Sequence, residues 1–220
     1  MTIERPDPLP LGARAAIFDF DGTLADTAHI WYEVDHTFLS RRGLPYTPDY
    51  PTRLAALGFV GGAYYTIERY GLSETAEQIC AEWTELSHEL YRRTVVLRPG
   101  AKDYVQRLRS AGVPCALATT NDAAVLYDMR HIDVASLFDA CVFGAEVGCG
   151  KDRPDIYLEA ARRLGMDVCD CLVFEDIVPA LRSARIAGAH TCAVRANDRS
   201  QAWDEAKKLA DMWIEDWHDL

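Results

Sequence analysis

Apolar runs alternate with stretches of helical periodicity along the second half of the chain. In the helical stretches apolar residues recur three or four positions apart, whereas the runs between them are short and uninterrupted. The predicted helices cover residues 101–110, 122–129, 155–164, 179–187 and 203–210, and the predicted strands cover 113–118, 140–143, 171–174, 191–194 and 212–214. Strands that alternate with helices are typical of a parallel sheet with helices on both faces. The pattern therefore predicts an α/β fold with a doubly wound parallel sheet.

The first part of the chain has a different pattern. Residues 13–20 form one apolar run, which predicts a buried parallel strand. From residue 27 to 94 aromatic and aliphatic side chains recur at helical spacing, and prolines separate the first stretch from later ones at 52–70 and 73–91. We therefore predict an α/β core formed by residues 1–26 and 95–220, with an all-helical domain of residues 27–94 inserted into it.

Composition narrows the class of protein. The chain has 220 residues, of which 49% are hydrophobic, and this suffices for one core with a small accessory domain. The formal net charge of -11 repels nucleic acid, so no nucleic-acid partner is expected. The N-terminal residues lack the apolar segment of a signal peptide, and no run is long enough to span a membrane. The seven cysteines predict reduced thiols in a cytoplasmic protein, and a monomer and a homodimer both fit the sequence.

Residues with polar side chains, together with Gly22, follow four of the predicted strands, at or just beyond the point where each strand ends. These residues are Asp19, Asp21 and Gly22; Thr119, Thr120 and Asn121; Lys151; and Glu175 with Asp176. Ligands of open α/β sheets bind beyond the carboxyl ends of the strands. We therefore expect these side chains to lie at one edge of the sheet and to form one site.

Each of these groups suits the binding or transfer of a phosphate. Two carboxylates as close as those of Asp19 and Asp21 attract a cation such as Mg²⁺, and an aspartate can attack phosphorus directly. A threonine hydroxyl beside helix-start N–H groups binds an anion, and Lys151 in its glycine-flanked loop can act as a point charge. Taken singly, these groups have ordinary alternatives, namely solvated acids, a helix N-cap or a surface lysine.

The segments DFDGTLADT, LATTN, GKDRPDIYL and VFED resemble, in this order, the motifs of the haloacid dehalogenase superfamily. The similarity extends over residues 13–214 and is greatest to the branch of β-phosphoglucomutases and phosphoglycolate phosphatases, in which a helical cap follows the first motif. The resemblance implies a Rossmann-like core with an inserted cap. It also implies Mg²⁺ as the cofactor and a small phosphorylated metabolite as the partner.

The resemblance further implies a role for each residue. Asp19 is similar to the nucleophile, and Asp21 is similar to the general acid/base, whose backbone carbonyl also binds Mg²⁺. Thr119 and Lys151 resemble groups that contact the phosphoryl oxygens, and the lysine also steadies Asp19. The expected phosphate-binding residues are Gly22, Thr119, Thr120 and Lys151, and the expected metal ligands are Asp19, Asp21, Glu175 and Asp176.

The implied activity is that of a magnesium-dependent phosphatase acting on a sugar phosphate or a phosphoglycolate-like ester through an aspartyl-phosphate. A phosphosugar mutase of the β-phosphoglucomutase type is an alternative, but Trp31 stands where such mutases carry an acid/base histidine. A non-catalytic phosphometabolite-binding protein is a second alternative. The motifs depart from the family pattern at Asp152, directly after the lysine, and at Ile177, directly after the last acid, and neither departure removes a predicted catalytic group.

Substrate specificity is expected to come from the inserted helices. The candidates are Arg53, Phe59, Tyr64, Tyr65 and Arg69. A basic side chain would meet a second phosphate or a carboxylate, whereas an aromatic ring would cover a sugar. The alternative is that these side chains only pack helices or face solvent. Near the C-terminus, we expect Trp213 and Trp217 to pack on the edge of the sheet.

Overall fold

The computed structural model describes residues 9–198 and 200–220. At its centre is a sheet of six parallel strands in the order β3-β2-β1-β4-β5-β6. The strands are β1 Ala15–Phe18, β2 Cys115–Thr119, β3 Ala140–Phe143, β4 Cys171–Glu175, β5 His190–Val194 and β6 Met212–Ile214. The chain first adds strands on one side of β1 and then on the other, so the order reverses beside β1. The predicted doubly wound parallel sheet is confirmed.

The segment of residues 27–94, which follows β1 along the chain, contains three helices. They are α1 Ala28–Arg41, α2 Tyr50–Tyr70 and α3 Ala76–Thr94. Residues 27–94, all of which the structure describes, contain no strand, in agreement with the all-helical pattern. α3 begins at a capping box, in which Thr75 and Gln78 satisfy each other's backbone N–H groups. The division of the chain into two domains at these limits stays a prediction.

α2 is not the regular helix that the sequence pattern predicts for residues 52–70. Gly58 has a φ of 70° and a ψ of -175°, so the backbone leaves helical geometry in the middle of the helix. Glycine adopts this conformation without steric penalty because it has no Cβ atom. The apolar spacing continues through the break, which is why the pattern alone did not reveal it.

Helices cover both faces of the sheet. They are α4 Ala101–Ser110, α5 Ala123–Tyr127, α6 Val134–Leu137, α7 Gly144–Val147, α8 Asp155–Leu164, α9 Val178–Ala187 and α10 Trp203–Leu209. Successive residues of β1 point to opposite faces, so Ala16 and Phe18 pack in one apolar cluster while Ala15 and Ile17 pack in the other. The sequence pattern missed α6 and α7, because a single helical turn is too short to show periodicity. No helix of the described residues is both long and apolar enough to cross a membrane.

The C-terminal tryptophans occupy different places. Trp213 lies on the edge strand β6, as expected, and is 49% exposed. Trp217 does not pack on the edge: its ring lies against Phe18 and Phe174 of the central strands, at centroid distances of 6.0 and 5.4 Å. After β6 the chain turns back over the sheet, and the indole N–H of Trp217 donates to the Thr23 carbonyl at 3.2 Å. The central strands offer a large ring more apolar surface than the edge does, so the prediction for Trp217 was wrong.

Candidate active site

The polar groups that follow the strands meet at one edge of the sheet. β1 lies between β2 and β4, so parallel pairing brings the ends of these three strands side by side. Asp19 directly follows β1, and Glu175 and Asp176 end or follow β4. The side chain of Lys151 reaches the same point from the loop before α8. All four side chains are at most 9% exposed, which is unusual for charged groups without partners.

Lys151 joins two of the acids. Its ammonium group donates to the carboxylates of Asp19 and Glu175, the latter at 2.5 Å. The same Glu175 oxygen accepts a hydrogen bond from the hydroxyl of Tyr157, at 2.9 Å. Burial lowers the pKa of Lys151, but the two carboxylates outweigh burial and raise it, so the side chain stays protonated. Tyr157 could not be predicted as part of the site, because an inward tyrosine on a core helix has the spacing of any packed residue.

Three carboxylates form a group that fits a divalent cation. Oxygen atoms of Asp19, Glu175 and Asp176 lie within 4.8 Å of one another. Burial, and after it the neighbouring acids, raise the pKa of Asp19 to about 8, although Lys151 lowers it. Burial, and after it Asp19 and Glu175, raise the pKa of Asp176 as well. When all three acids are ionised, one lysine leaves two negative charges uncompensated, and hard oxygen ligands of this kind suit Mg²⁺.

The carboxylate of Asp21 has hydrogen-bond partners of its own, outside this group of acids. One of its oxygens accepts hydrogen bonds from the hydroxyls of Thr27, at 2.7 Å, and Tyr91. The other accepts from the side-chain amide of Asn121, at 2.9 Å. The carboxylate of Asp21 is therefore not part of the metal-ligand group, and only its backbone carbonyl remains as an expected ligand. Tyr91 comes from the end of α3, seventy positions along the chain, and the sequence did not indicate it.

Gly22 allows the turn after β1 to pass close to Asp176. Its φ is +83°, and a Cβ atom at this position would lie 2.3 Å from a carboxylate oxygen of Asp176. Any side chain here would therefore displace an expected metal ligand. Arg98 donates to the Gly22 carbonyl at 3.0 Å and holds the turn from the far side.

The end of β2 contributes Thr120 and Asn121 to the site more directly than Thr119. The Thr119 hydroxyl accepts a hydrogen bond from the Asn121 backbone N–H at 3.1 Å and is 1% exposed. Thr120 and Asn121 line the adjoining cavity, whereas Thr119 lies behind them. The role of Thr119 as a phosphate-binding hydroxyl stays a prediction.

A cavity of about 710 Å³ opens from these residues towards the inserted helices. Its walls include Trp31 and Asp35 of α1, Tyr46, and Phe59 of α2. Of the five candidates for substrate specificity, only Phe59 lines it.

The two basic candidates, Arg53 and Arg69, contact other residues of the inserted segment and do not line the cavity. Arg69 donates to Asp49 at 2.7 Å, to Thr47 at 2.7 Å and to the hydroxyl of Tyr65. Arg53 is exposed, with its guanidinium 5.8 Å from the centre of the Tyr65 ring. Both arginines therefore match the alternative that these side chains only pack helices or face solvent. The spacing of residues could not show this, because periodicity does not tell which face of a helix meets a cavity.

The residues just before the break in α2 form hydrogen bonds with two loops of the α/β core. The backbone N–H of Asp152 donates to the Ala56 carbonyl at 3.2 Å, and the Thr120 hydroxyl donates to the Ala55 carbonyl at 3.4 Å. Gly150 packs so tightly against this segment that a Cβ atom there would lie 2.3 Å from the Ala56 carbonyl oxygen. The non-helical Gly58 thus turns carbonyl groups of the inserted helices towards the loops that hold the site.

Comparison with known proteins identifies the family. Residues 16–194 match the haloacid dehalogenase-like hydrolases. A phosphorylated carbohydrates phosphatase of Thermotoga maritima is 30% identical over 79% of this chain and 81% of the relative. Hexitol phosphatase A of Escherichia coli is 30% identical over 82% of this chain and 82% of the relative. These relatives are phosphoric monoester hydrolases, so the predicted enzyme class is confirmed.

A solved structure shows the same fold. The β-phosphoglucomutase of Clostridium difficile superposes with a TM-score of 0.80 at 19% identity, and the match covers 94% of this chain and 93% of that chain. The predicted Rossmann-like core is confirmed. On its motifs, its fold and its relatives, the chain belongs to the haloacid dehalogenase-like hydrolases.

Proposed function

We propose that the protein is a magnesium-dependent phosphatase that hydrolyses the monoester of a small phosphorylated metabolite through an aspartyl-phosphate on Asp19. The observation that carries the proposal is the buried carboxylate of Asp19, which is hydrogen-bonded to Lys151. It is grouped with Glu175 and Asp176 at the wall of the cavity that the inserted helices also line. A carboxylate nucleophile, a cation for the phosphoryl oxygens and ligands for a metal thus lie together.

In the first transfer a carboxylate oxygen of Asp19 attacks phosphorus, and the bond between phosphorus and the ester oxygen breaks. The departing oxygen takes a proton from Asp21. Lys151, already in contact with Asp19, neutralises negative charge on the phosphoryl oxygens. Asp19, Asp176 and the backbone carbonyl of Asp21 would hold Mg²⁺, with Glu175 contributing directly or through water. The bound ion would supply the remaining charge neutralisation.

In the second transfer water attacks phosphorus, Asp21 accepts a proton from that water, and the bond from phosphorus to Asp19 breaks to release inorganic phosphate. Thr27, Tyr91 and Asn121 orient Asp21 through their hydrogen bonds. General acid/base help of this kind contributes on the order of 100- to 10,000-fold to the rate.

Hydrolysis is favoured over the mutase reaction by the environment of α1. Trp31 takes the place of the acid/base histidine, and its ring packs against Phe59 and Tyr91 at centroid distances of 5.7 and 5.6 Å. An indole acts neither as an acid nor as a base at neutral pH. A phosphorylated sugar or polyol suits the cavity better than phosphoglycolate, because a two-carbon acid leaves most of 710 Å³ unfilled. The relatives named for phosphorylated carbohydrates and hexitols support this class.

Magnesium is expected to be required for turnover. The measurement is phosphate release from p-nitrophenyl phosphate and from a panel of sugar, polyol and short-acid phosphates, with excess Mg²⁺ and with EDTA. We expect release with Mg²⁺, a loss of at least about 100-fold in EDTA, and recovery when Mg²⁺ is added back, because the acids otherwise repel the phosphate. Folded protein that releases no phosphate from any compound would instead favour the non-catalytic phosphometabolite-binding alternative.

Closure of α2 over the core is expected to matter for the rate. In Gly150→Ala the new methyl group collides with the Ala56 carbonyl, so the break in α2 must move away from Thr120. We expect kcat/KM for the best metabolite to fall on the order of 100-fold, the cost of a displacement of about 1 Å near a site. Cys149→Ala, in the same loop, serves as the control. Equal kcat/KM for Gly150→Ala and wild type would show that this contact is not needed for turnover.

A further inference from the structure

Asp35 is a buried acid that the proposed reaction does not use. It lies on α1, lines the cavity and is 3% exposed. Among residues 9–198 and 200–220 it has no hydrogen-bond or ion-pair partner. Burial raises its pKa to about 7. A buried carboxyl without a partner is costly, so water in the cavity or a bound molecule must supply the donor that the described residues do not.

The surroundings of Asp35 are aromatic. Tyr32 and Tyr46 pack together at a centroid distance of 5.2 Å, and Trp31, one helical turn from Asp35, forms part of the same wall. The titratable groups that Asp35 influences are the phenols of Tyr46 and Tyr50, whose pKa values burial and the acid raise. Both phenols are therefore neutral at physiological pH. None of the described residues donates a hydrogen bond to Asp35, so its carboxylate can accept one from a bound molecule.

The same part of the cavity does not suit a second anion. Among the described residues that line it, Lys151 is the only lysine or arginine, and that residue is bonded at the phosphate end. Arg53 and Arg69 lie elsewhere. Asp35 and Asp198 add negative charge to the lining instead. Among the described lining residues, a second phosphate or a carboxylate would meet these acids and no lysine or arginine besides Lys151.

The position of Asp35 along α1 gives a scale for the length of the molecule that would bind there. α1 begins at Ala28, next to Thr27, which bonds to Asp21. Asp35 lies seven residues beyond Ala28, or about 10 Å along the helix at 1.5 Å per residue. A phosphorylated molecule of the size of a sugar or a larger polyol extends over that distance.

We propose that the leaving group of the substrate carries a hydroxyl or ammonium group that donates a hydrogen bond to Asp35, and that it carries no second phosphate or carboxylate. This inference rests on the proposed function, because it assumes that phosphate binds at Asp19 and Lys151. The donor satisfies the unpartnered carboxylate and fixes the far end of the substrate. The phosphate end then lies at the nucleophile. Asp35 is a specificity-determining residue in this arrangement.

The test compares linear hexyl phosphates that differ only at the far end of the chain, which bears a methyl, a hydroxyl, an ammonium or a second phosphate. Affinities are measured by calorimetry at pH 8 with Mg²⁺, in full-length Asp19→Asn and in the same chain with Asp35→Ala or Asp35→Asn. We expect the affinity ratio of ammonium-ended to methyl-ended ligand to fall about 10- to 100-fold in both double variants. The ratio for the hydroxyl-ended ligand falls in Asp35→Ala and less in Asp35→Asn, which keeps an acceptor.

Glu33→Gln is the matched control, because Glu33 is an exposed acid of the same helix and lies outside the cavity. It should leave each ratio unchanged. Folding is checked by the melting temperature at pH 8, which Asp35→Asn should keep or raise since it removes a buried charge that no described residue compensates. Ratios that stay within about twofold in the Asp35 variants, or tightest binding by the ligand with a second phosphate, would overturn the inference.

The outcome for the proposed function is read separately. Phosphate release from the same ligands by the wild-type enzyme tests the reaction, whereas the affinity ratios test the contact with Asp35. Asp35-dependent ratios without phosphate release would remove the proposed function and keep the binding site. Phosphate release with ratios that do not depend on Asp35 would keep the function and remove this inference.

Discussion

Replacing Asp19 with asparagine is expected to lower magnesium-dependent phosphate release on the order of 10,000-fold or more. An amide is a far poorer nucleophile than a carboxylate, so no aspartyl-phosphate forms. The change also removes one of the three carboxylates that suit Mg²⁺. The measurement is kcat for p-nitrophenyl phosphate and for the best metabolite, together with mass spectrometry of the trapped phospho-enzyme, which only the wild type should yield.

Asp103→Asn is the control for this variant, because Asp103 is an exposed acid of α4 far along the chain from the site. It should retain wild-type kcat. The melting temperature of Asp19→Asn in EDTA should not fall, since the buried acids repel one another less when one becomes an amide. Phosphate release by Asp19→Asn above about one hundredth of the wild-type rate would mean that another group attacks phosphorus.

Replacing Lys151 with methionine should affect both activity and stability. Its ammonium is 2% exposed and bonds to Asp19 and Glu175. Without it, the phosphoryl oxygens lose a fixed cation, and we expect kcat/KM to fall on the order of 100- to 1,000-fold. The two acids also lose their partner inside the protein. Removing one side of a buried ion pair costs about 3–5 kcal/mol, so the free energy of unfolding measured with urea in EDTA should fall by that amount.

Lys102→Met separates this effect from the general loss of a lysine. Lys102 is an exposed residue of α4 and has no ion-pair partner among the described residues. Its replacement should change the free energy of unfolding by less than about 0.5 kcal/mol. If Lys151→Met were as stable and as active as Lys102→Met, the contact between Lys151 and Asp19 would have no part in either property.

The strands and the acids that follow them could be predicted because both depend on local sequence. Apolar runs such as that of β4 stay uninterrupted when both faces of a strand are buried, and polar residues begin where the strand leaves the sheet. In a parallel sheet the carboxyl ends of all strands lie at the same edge, whatever the length of the connections between the strands. Asp19, Lys151 and Asp176 could therefore be placed in one site although 157 positions separate the first from the last.

The partners of these residues could not be predicted in this way. Tyr91 and Tyr157 have the spacing of packed helix residues, and nothing in the sequence distinguishes a tyrosine whose hydroxyl meets a carboxylate from one that only fills the core. The break at Gly58 was equally hidden, since glycine also occurs inside helices. Such contacts depend on how distant elements pack, and packing leaves no periodic signal.

By itself, the sequence determined the parallel sheet, the inserted helices and the residues at the strand ends, because local periodicity and strand direction are enough for these. Only the tertiary structure decided what faces the cavity. It directed Arg53 and Arg69 away from the cavity and left Asp35 inside, with no partner among the described residues. The reason is physical: the sequence pattern shows that a helix has a buried face, but the neighbouring elements decide whether that face meets side chains or an open cavity.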